Sequence, residues 1–225
     1  MGMINSYNEW SPLKRIVVGS ATDANWPVND PVFAKESEKT TWKETPVPRG
    51  PVSQRIIDEA NEDLDTLATT LIGLGVEVLR PDPLNFQTHD GMYNYCPRDR
   101  LLVYGNSIVN PAMMYPCRDM ELQCYHDIVD EAEHYHFMPR NEGFVLDAAN
   151  VCRLGDRMLF LESASGNRKA YNWLCEVFPE ICDRNQTELI RTLQSYQFEV
   201  IPLELRHSRT LGGGFHCVTL DLERG

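Results

Sequence analysis

The last fifteen residues, LGGGFHCVTLDLERG, put a thiol where it could react. Glycine tolerates positive φ and lets backbones approach closely, so Gly212, Gly213 and Gly214 form a hinge ahead of Cys217. Beyond it the apolar residues alternate, as in a strand, so Cys217 sits at the strand's mouth. A thiolate so placed is a nucleophile if its pKa is lowered or a base stands near. A cysteine entering a strand is equally an ordinary core residue, and spacing alone leaves both readings open. His216 is adjacent, but neighbouring side chains of an extended segment face opposite ways, which makes it a poor base for Cys217. Two aspartates stand where strands begin: Asp99 in DRLLVYGNSIVNPA and Asp147 in DAANVCRLGDRMLFLES. At such positions Asp commonly serves the turn. His134 and His136 form a His-x-His pair with no third ligand in a matching motif, so no metal site is expected. His126 reads as a partly exposed structural residue and His207 as a loop residue.

The elements that must position these groups follow from periodicity. PLKRIVVG, residues 12–19, reads as a first strand, and the proline-rich polar stretch 21–50 as a long surface loop. Ile57, Ala60, Leu64, Leu67, Ala68, Leu71 and Leu74 recur at helical spacing, with Gly75 as C-cap. VEVLRP then reads as a strand. TELIRTLQSYQ followed by FEVIPLEL repeats this helix-then-strand device near the other end. Between the two copies, the stretches beginning at Asp99 and Asp147 each read as strand, Gly-Asn or Gly-Asp turn, strand. A helical pattern follows each, MELQCYHDIVDEAEHY and NRKAYNWLCEVF. The recurring unit is hairpin, helix, strand. One such unit cannot cover its own apolar faces; several around an axis can, which predicts an α/β propeller.

Composition narrows the partners. With 21 basic against 33 acidic side chains the net charge is -12, which argues against nucleic acid or an anionic membrane and suits a cationic small molecule. No apolar run is long enough to span a bilayer, and no signal peptide is visible. Seven cysteines, an odd number without a CxxC pair, point to thiols in a reducing cytosol.

SYNEWSPLKRIVVGSA, RPDP, CPRDRLLVYGNSIVNPAM, LDAANVCRLGDRMLF and TLGGGFHC, in that order through most of the chain, resemble the amidinotransferases of the glycine and inosamine-phosphate type. That resemblance implies a five-fold pseudosymmetric α/β propeller with its site on the axis, and here one domain over residues 1–225. It implies Cys217 as nucleophile, Asp99 as a substrate-binding carboxylate and Asp147 as a catalytic one that orients a proton-shuttling histidine. Arginine would donate an amidino group to the thiol, and an amine such as glycine would carry it away, with no metal or organic cofactor. Carboxylates suit this task because they grip a planar guanidinium through paired, charge-assisted hydrogen bonds.

The family's histidine belongs to a His-x-Asp segment, and this chain has none. The strand and hairpin expected after the third helix are missing as well, near residues 178–184. The chain is therefore expected to be an incomplete propeller, through an altered gene or a real shortened protein. Loss of an acid–base group would slow turnover about 10²–10⁴-fold. Two alternatives follow: a guanidine hydrolase of the same superfamily, or a guanidine-binding protein with impaired catalysis. An open ring also exposes strand edges, which favours self-association, a homodimer included.

Overall fold

The computed structural model describes residues 4–40, 47–179, 205–213 and 216–225. The apolar run of the first strand becomes β1 (Leu13–Val18). Its Ile16 and Val18 enter one core cluster while Val17 enters another, so both faces are covered. That explains a continuous apolar run rather than strict alternation.

The stretch expected to be a loop is more ordered than its prolines suggest. It holds β2 (Asn25–Trp26), paired with β3 (Gly50–Pro51), and a ten-residue helix, α1 (Pro31–Thr40). Asp30 accepts from the backbone N–H groups of Val32 and Phe33, and Pro31 opens the first turn, where its missing donor costs nothing. Buried Phe33 stacks on Trp26 at 5.9 Å and meets Tyr115 edge-on at 5.4 Å. The predicted long helix is α2 (Gln54–Gly73), whose buried face is Ile57, Ala60, Leu64, Leu67 and Ala68. Leu74 stays exposed, and Gly75 takes the positive φ of +85° that follows the helix. Next comes β4 (Glu77–Leu79).

A short helix, α3 (Pro97–Arg100), precedes β5 (Leu102–Tyr104) and β6 (Ser107–Asn110), the first predicted hairpin. The helical stretch expected at 120–135 is instead a 3-10 helix, Pro116–Tyr125, then α4 (His126–Val129), then a strand, β7 (His134–Phe137). Arg118, Glu121 and Cys124 are all buried, at intervals of three. Three residues per turn stacks them on one edge, which the wider α-helix would not do. The second hairpin is β8 (Val151–Arg153) with β9 (Met158–Phe160), followed by α5 (Arg168–Val177), whose cap Asn167 accepts from Ala170 N at 2.9 Å. The chain ends with α6 (Ser208–Leu211) and β10 (Thr219–Arg224).

The repeat is visible in the pairing. β10 and β1 are antiparallel, α2 crosses over, and β4 returns parallel to β1. β5 and β6 are antiparallel, helical turns follow, and β7 returns parallel to β6. β8 and β9 are antiparallel and α5 follows; no strand among the described residues returns beside β9. The fold is an α/β propeller in which the first unit takes one hairpin strand from each end of the chain. The second copy of the helix-then-strand device, at 187–205, lies outside the described residues apart from Leu205, as does most of the expected gap at 178–184. No described helix is long and apolar enough to cross a membrane.

Candidate active site

Helix α3 lies at the centre, packed against β10, the 3-10 helix at Pro116–Tyr125 and the 3-10 turn at Ala148–Asn150. These four elements carry or adjoin every candidate residue. Cys217 is half-buried in the turn before β10. Its carbonyl accepts from Arg98 N at 3.3 Å, which seats the turn on α3. The glycine hinge has two distinct functions. Gly212 supplies a φ of +79°. Gly213 supplies space: a Cβ there would lie 2.5 Å from Cys96 Sγ and 3.2 Å from Cys217 Cβ. His216 is exposed.

Asp99, one residue beyond Arg98, receives Arg118 Nη1 at 2.9 Å. Arg118 is buried and forks onto Glu121 through Nε at 2.7 Å and Nη2 at 2.9 Å. Its guanidinium carbon lies 5.1 Å from the centre of the Tyr93 ring, within cation–π range. Asp147 precedes the 3-10 turn but does not cap it; its Oδ1 accepts from Met114 N at 2.9 Å. Neither aspartate is spent on its own turn, so the turn-cap role fits neither. Burial, then the negative charge of Asp99, pushes the Asp147 carboxyl up to about 6, against the pull of Arg118, Arg100 and the Met114 hydrogen bond. Burial likewise pushes Glu121 up to about 7 although Arg118 grips it. Cys96, beside the hinge, is pushed well up by burial and by Asp99.

Three carboxylates (Asp99, Glu121 and Asp147) lie within electrostatic reach of two guanidiniums, Arg118 and Arg100. The cluster is one negative charge in surplus when all are ionised, which suits a cation. Arg118 and Glu121 were not among the residues singled out from sequence. Their only signal is Arg-x-x-Glu spacing within CRDMELQ, which surface helices share. The structure also adds a second buried ion cluster under β10, formed by Glu9, Arg98, Arg153 and Asp221. Elsewhere His136 packs edge-on against Phe178, and His207 Nε2 meets Glu59 Oε2 at 2.7 Å on α2. Among the described residues, no three His, Cys, Asp or Glu side chains are placed to hold a metal ion.

No family model matches the chain. Inosamine-phosphate amidinotransferase 1 of Streptomyces griseus is 29% identical over 339 aligned positions that cover 100% of this chain and 98% of the relative. The solved structure of inosamine-phosphate amidinotransferase from Streptomyces griseus superposes with a TM-score of 0.80 at 27% identity, over 98% of this chain and 97% of that one. Along its whole length the chain is homologous to amidinotransferases. Mitochondrial glycine amidinotransferase of Xenopus tropicalis is 31% identical over 138 residues, 56% of this chain and 32% of the relative. A Microseira wollei amidinotransferase of saxitoxin biosynthesis shares the fold, with a TM-score of 0.79 at 20% identity over 98% of this chain and 97% of that one. The 339 positions aligned with the first relative exceed the 225 residues of this chain, so long stretches of that relative have no counterpart here.

Proposed function

We propose that this amidinotransferase takes the amidino group of arginine onto Cys217 and passes it to a primary amine. The observation that carries the reading is the position of α3. Its backbone seats the Cys217 turn, its Asp99 stands in an acid-rich cluster, and the turn after Asp147 packs against it. A guanidinium entering this cluster balances the surplus carboxylate. The Cys217 thiolate attacks the central guanidinium carbon; the C–N bond to the departing amine breaks as that amine takes up a proton. An amidino-cysteine remains. The acceptor amine attacks the same carbon, loses a proton and releases the thiolate. Asp147, with a carboxyl held near 6, titrates close to neutrality, as a group that takes and returns protons should. The acceptor is glycine or, as the names of the relatives suggest, an inosamine phosphate. We place the reaction in the cytosol on the strength of the odd number of cysteines, and assign it no cofactor.

A second reading is a guanidine-binding protein without turnover. It is favoured by the absence of His-x-Asp from the chain and by Arg118, whose own guanidinium holds Asp99. Intact-mass measurement after mixing with arginine separates the two. Turnover predicts an amidino adduct that Cys217→Ala abolishes; no adduct on the unsubstituted protein refutes it. Products then separate transfer from hydrolysis. Ornithine with a guanidino product that appears only when glycine or inosamine phosphate is added means transfer, and citrulline without acceptor means hydrolysis.

A further inference from the structure

We propose that Arg98 is a positioning residue, holding Cys217 in register with Asp99 through the ion cluster buried under β10. The inference rests on the reading of Cys217 as nucleophile. Arg98 touches the Cys217 strand at three points. Its main-chain N–H donates to the Cys217 carbonyl at 3.3 Å, its Nε donates to the Thr219 carbonyl at 3.1 Å, and its Nη2 pairs with Asp221. The residue that follows it is Asp99. A single residue thus ties the helix that presents the substrate carboxylate to the turn before β10 through its main chain, and to the start of β10 through its side chain, which holds the strand that Cys217 leads into.

The cluster extends the clamp to the other elements of the site. Arg153, at the end of β8, also pairs with Asp221, forks onto Glu9 at 2.9 and 2.8 Å, and donates to Ser6 Oγ at 2.7 Å. β8 begins directly after the turn that Asp147 opens. Arg153 and Asp221 are fully buried and Arg98 nearly so. Burying charge consumes desolvation energy that an apolar cluster of the same volume would not, so such a cluster is poor evidence for stability and better evidence for geometry. Arg224 reaches the same Asp221 at 2.8 Å, but its other bond runs to the Ser11 carbonyl, away from Cys217. It shares the cluster without sharing the clamp.

The test compares Arg98→Lys, Arg98→Met and Arg224→Met in the full chain. Two rates are read at Cys217 by peptide mass mapping: amidination by arginine, which needs Cys217 and Asp99 in register, and alkylation by iodoacetamide, which needs only an accessible thiol. Misplacing reacting groups by an ångström can cost about 10²-fold. Arg98→Met should lower amidination about that far with alkylation changed less than about twofold. Arg98→Lys, which keeps the charge on Asp221 but loses the fork, should recover part of the loss, and Arg224→Met should lower both rates together or neither. Unchanged amidination in both Arg98 variants overturns the proposal, as does an equal fall in amidination with alkylation unchanged in Arg224→Met, or a fall of both rates together in Arg98→Met. If Arg98→Met does not fold, Arg98→Lys alone decides. If the unsubstituted protein forms no adduct, the parent reading fails and this one with it.

Discussion

Gly213 is where the hinge can be tested without touching a reactive group. A methyl group there would lie 2.5 Å from Cys96 Sγ, 3.2 Å from Cys217 Cβ and 3.3 Å from Tyr95 Cε1. Uncharged heavy atoms prefer about 3.5–4.0 Å, so the sulfur must retreat by about 1 Å while the other two contacts need only small shifts. Cys96 is 1% exposed and belongs to the core cluster that also holds Tyr93, Tyr95 and Leu211, so a retreat of its sulfur must displace core neighbours. Overpacking of this kind costs about 1–3 kcal/mol, so Gly213→Ala should lower stability by that amount and disturb the Cys217 turn.

The collision is mainly with one atom, and deleting that atom isolates it. Cys96→Ala alone should cost about 1 kcal/mol for the lost buried sulfur. In that background Gly213→Ala should cost less than about 1 kcal/mol, leaving a favourable coupling of about 1–2 kcal/mol between the substitutions. Urea unfolding of the four proteins measures it, provided the slopes agree. Gly212→Ala is the control. Its cost of about 1–2 kcal/mol comes from its φ of +79°, its nearest neighbour is Tyr93 Oη at 3.8 Å, and Cys96→Ala should not relieve it. If the Gly213 and Cys96 substitutions add to within about 0.5 kcal/mol, the close approach of the hinge to Cys96 is wrong.

Three further outcomes follow from the structure. Arg118→Met leaves buried Glu121 and Asp99 without their shared cation and should cost about 3–5 kcal/mol in urea unfolding, whereas Glu121→Gln should cost less because one acid is removed with its charge. Asp147 has its folded pKa raised from 3.8 to about 6, so its ionisation works against folding: the two states differ little below about pH 4, and stability is lost as pH rises through 6. Asp147→Asn keeps an acceptor for Met114 N and should therefore gain about 2–3 kcal/mol over the unsubstituted protein at pH 8 relative to pH 4; equal effects at both pH values would contradict the raised carboxyl pKa. Asn167→Ala removes the cap of α5 and should cost about 1 kcal/mol by the same unfolding measurement.

Much of the frame was legible because local period and tertiary burial agree. Helix α2 buries the residues its spacing selects, and both hairpins turn at the expected glycines, Gly105 and Gly155, each with positive φ. Helix α1 was missed because its cap, Asp30 followed by Pro31, is embedded in a proline-rich polar stretch that reads as loop. The 3-10 helix and β7 were missed because MELQCYHDIVDEAEHY has α-helical composition; the buried Arg118–Glu121 pair and the pairing of β7 with β6 override it.

The ion clusters were illegible for a different reason. In VTLDLERG, Leu220 and Leu222 point into one core while Asp221 points the other way. Alternation of this kind ordinarily marks a strand with one wet face, which predicts a solvated Asp221. The propeller defeats that inference because α3, Ser6 and the end of β8 meet the second face at Asp221. A carboxylate trapped there must find cations, and it finds Arg98, Arg153 and Arg224 from three separate parts of the chain. No local pattern encodes such a meeting. In a fold whose strands are buried on both faces, a polar residue at the outward position of an alternating strand is better read as a demand for partners than as a mark of solvent. Asp221 meets that demand in part with Arg98, the residue whose main-chain N–H bonds the Cys217 carbonyl and whose neighbour is Asp99.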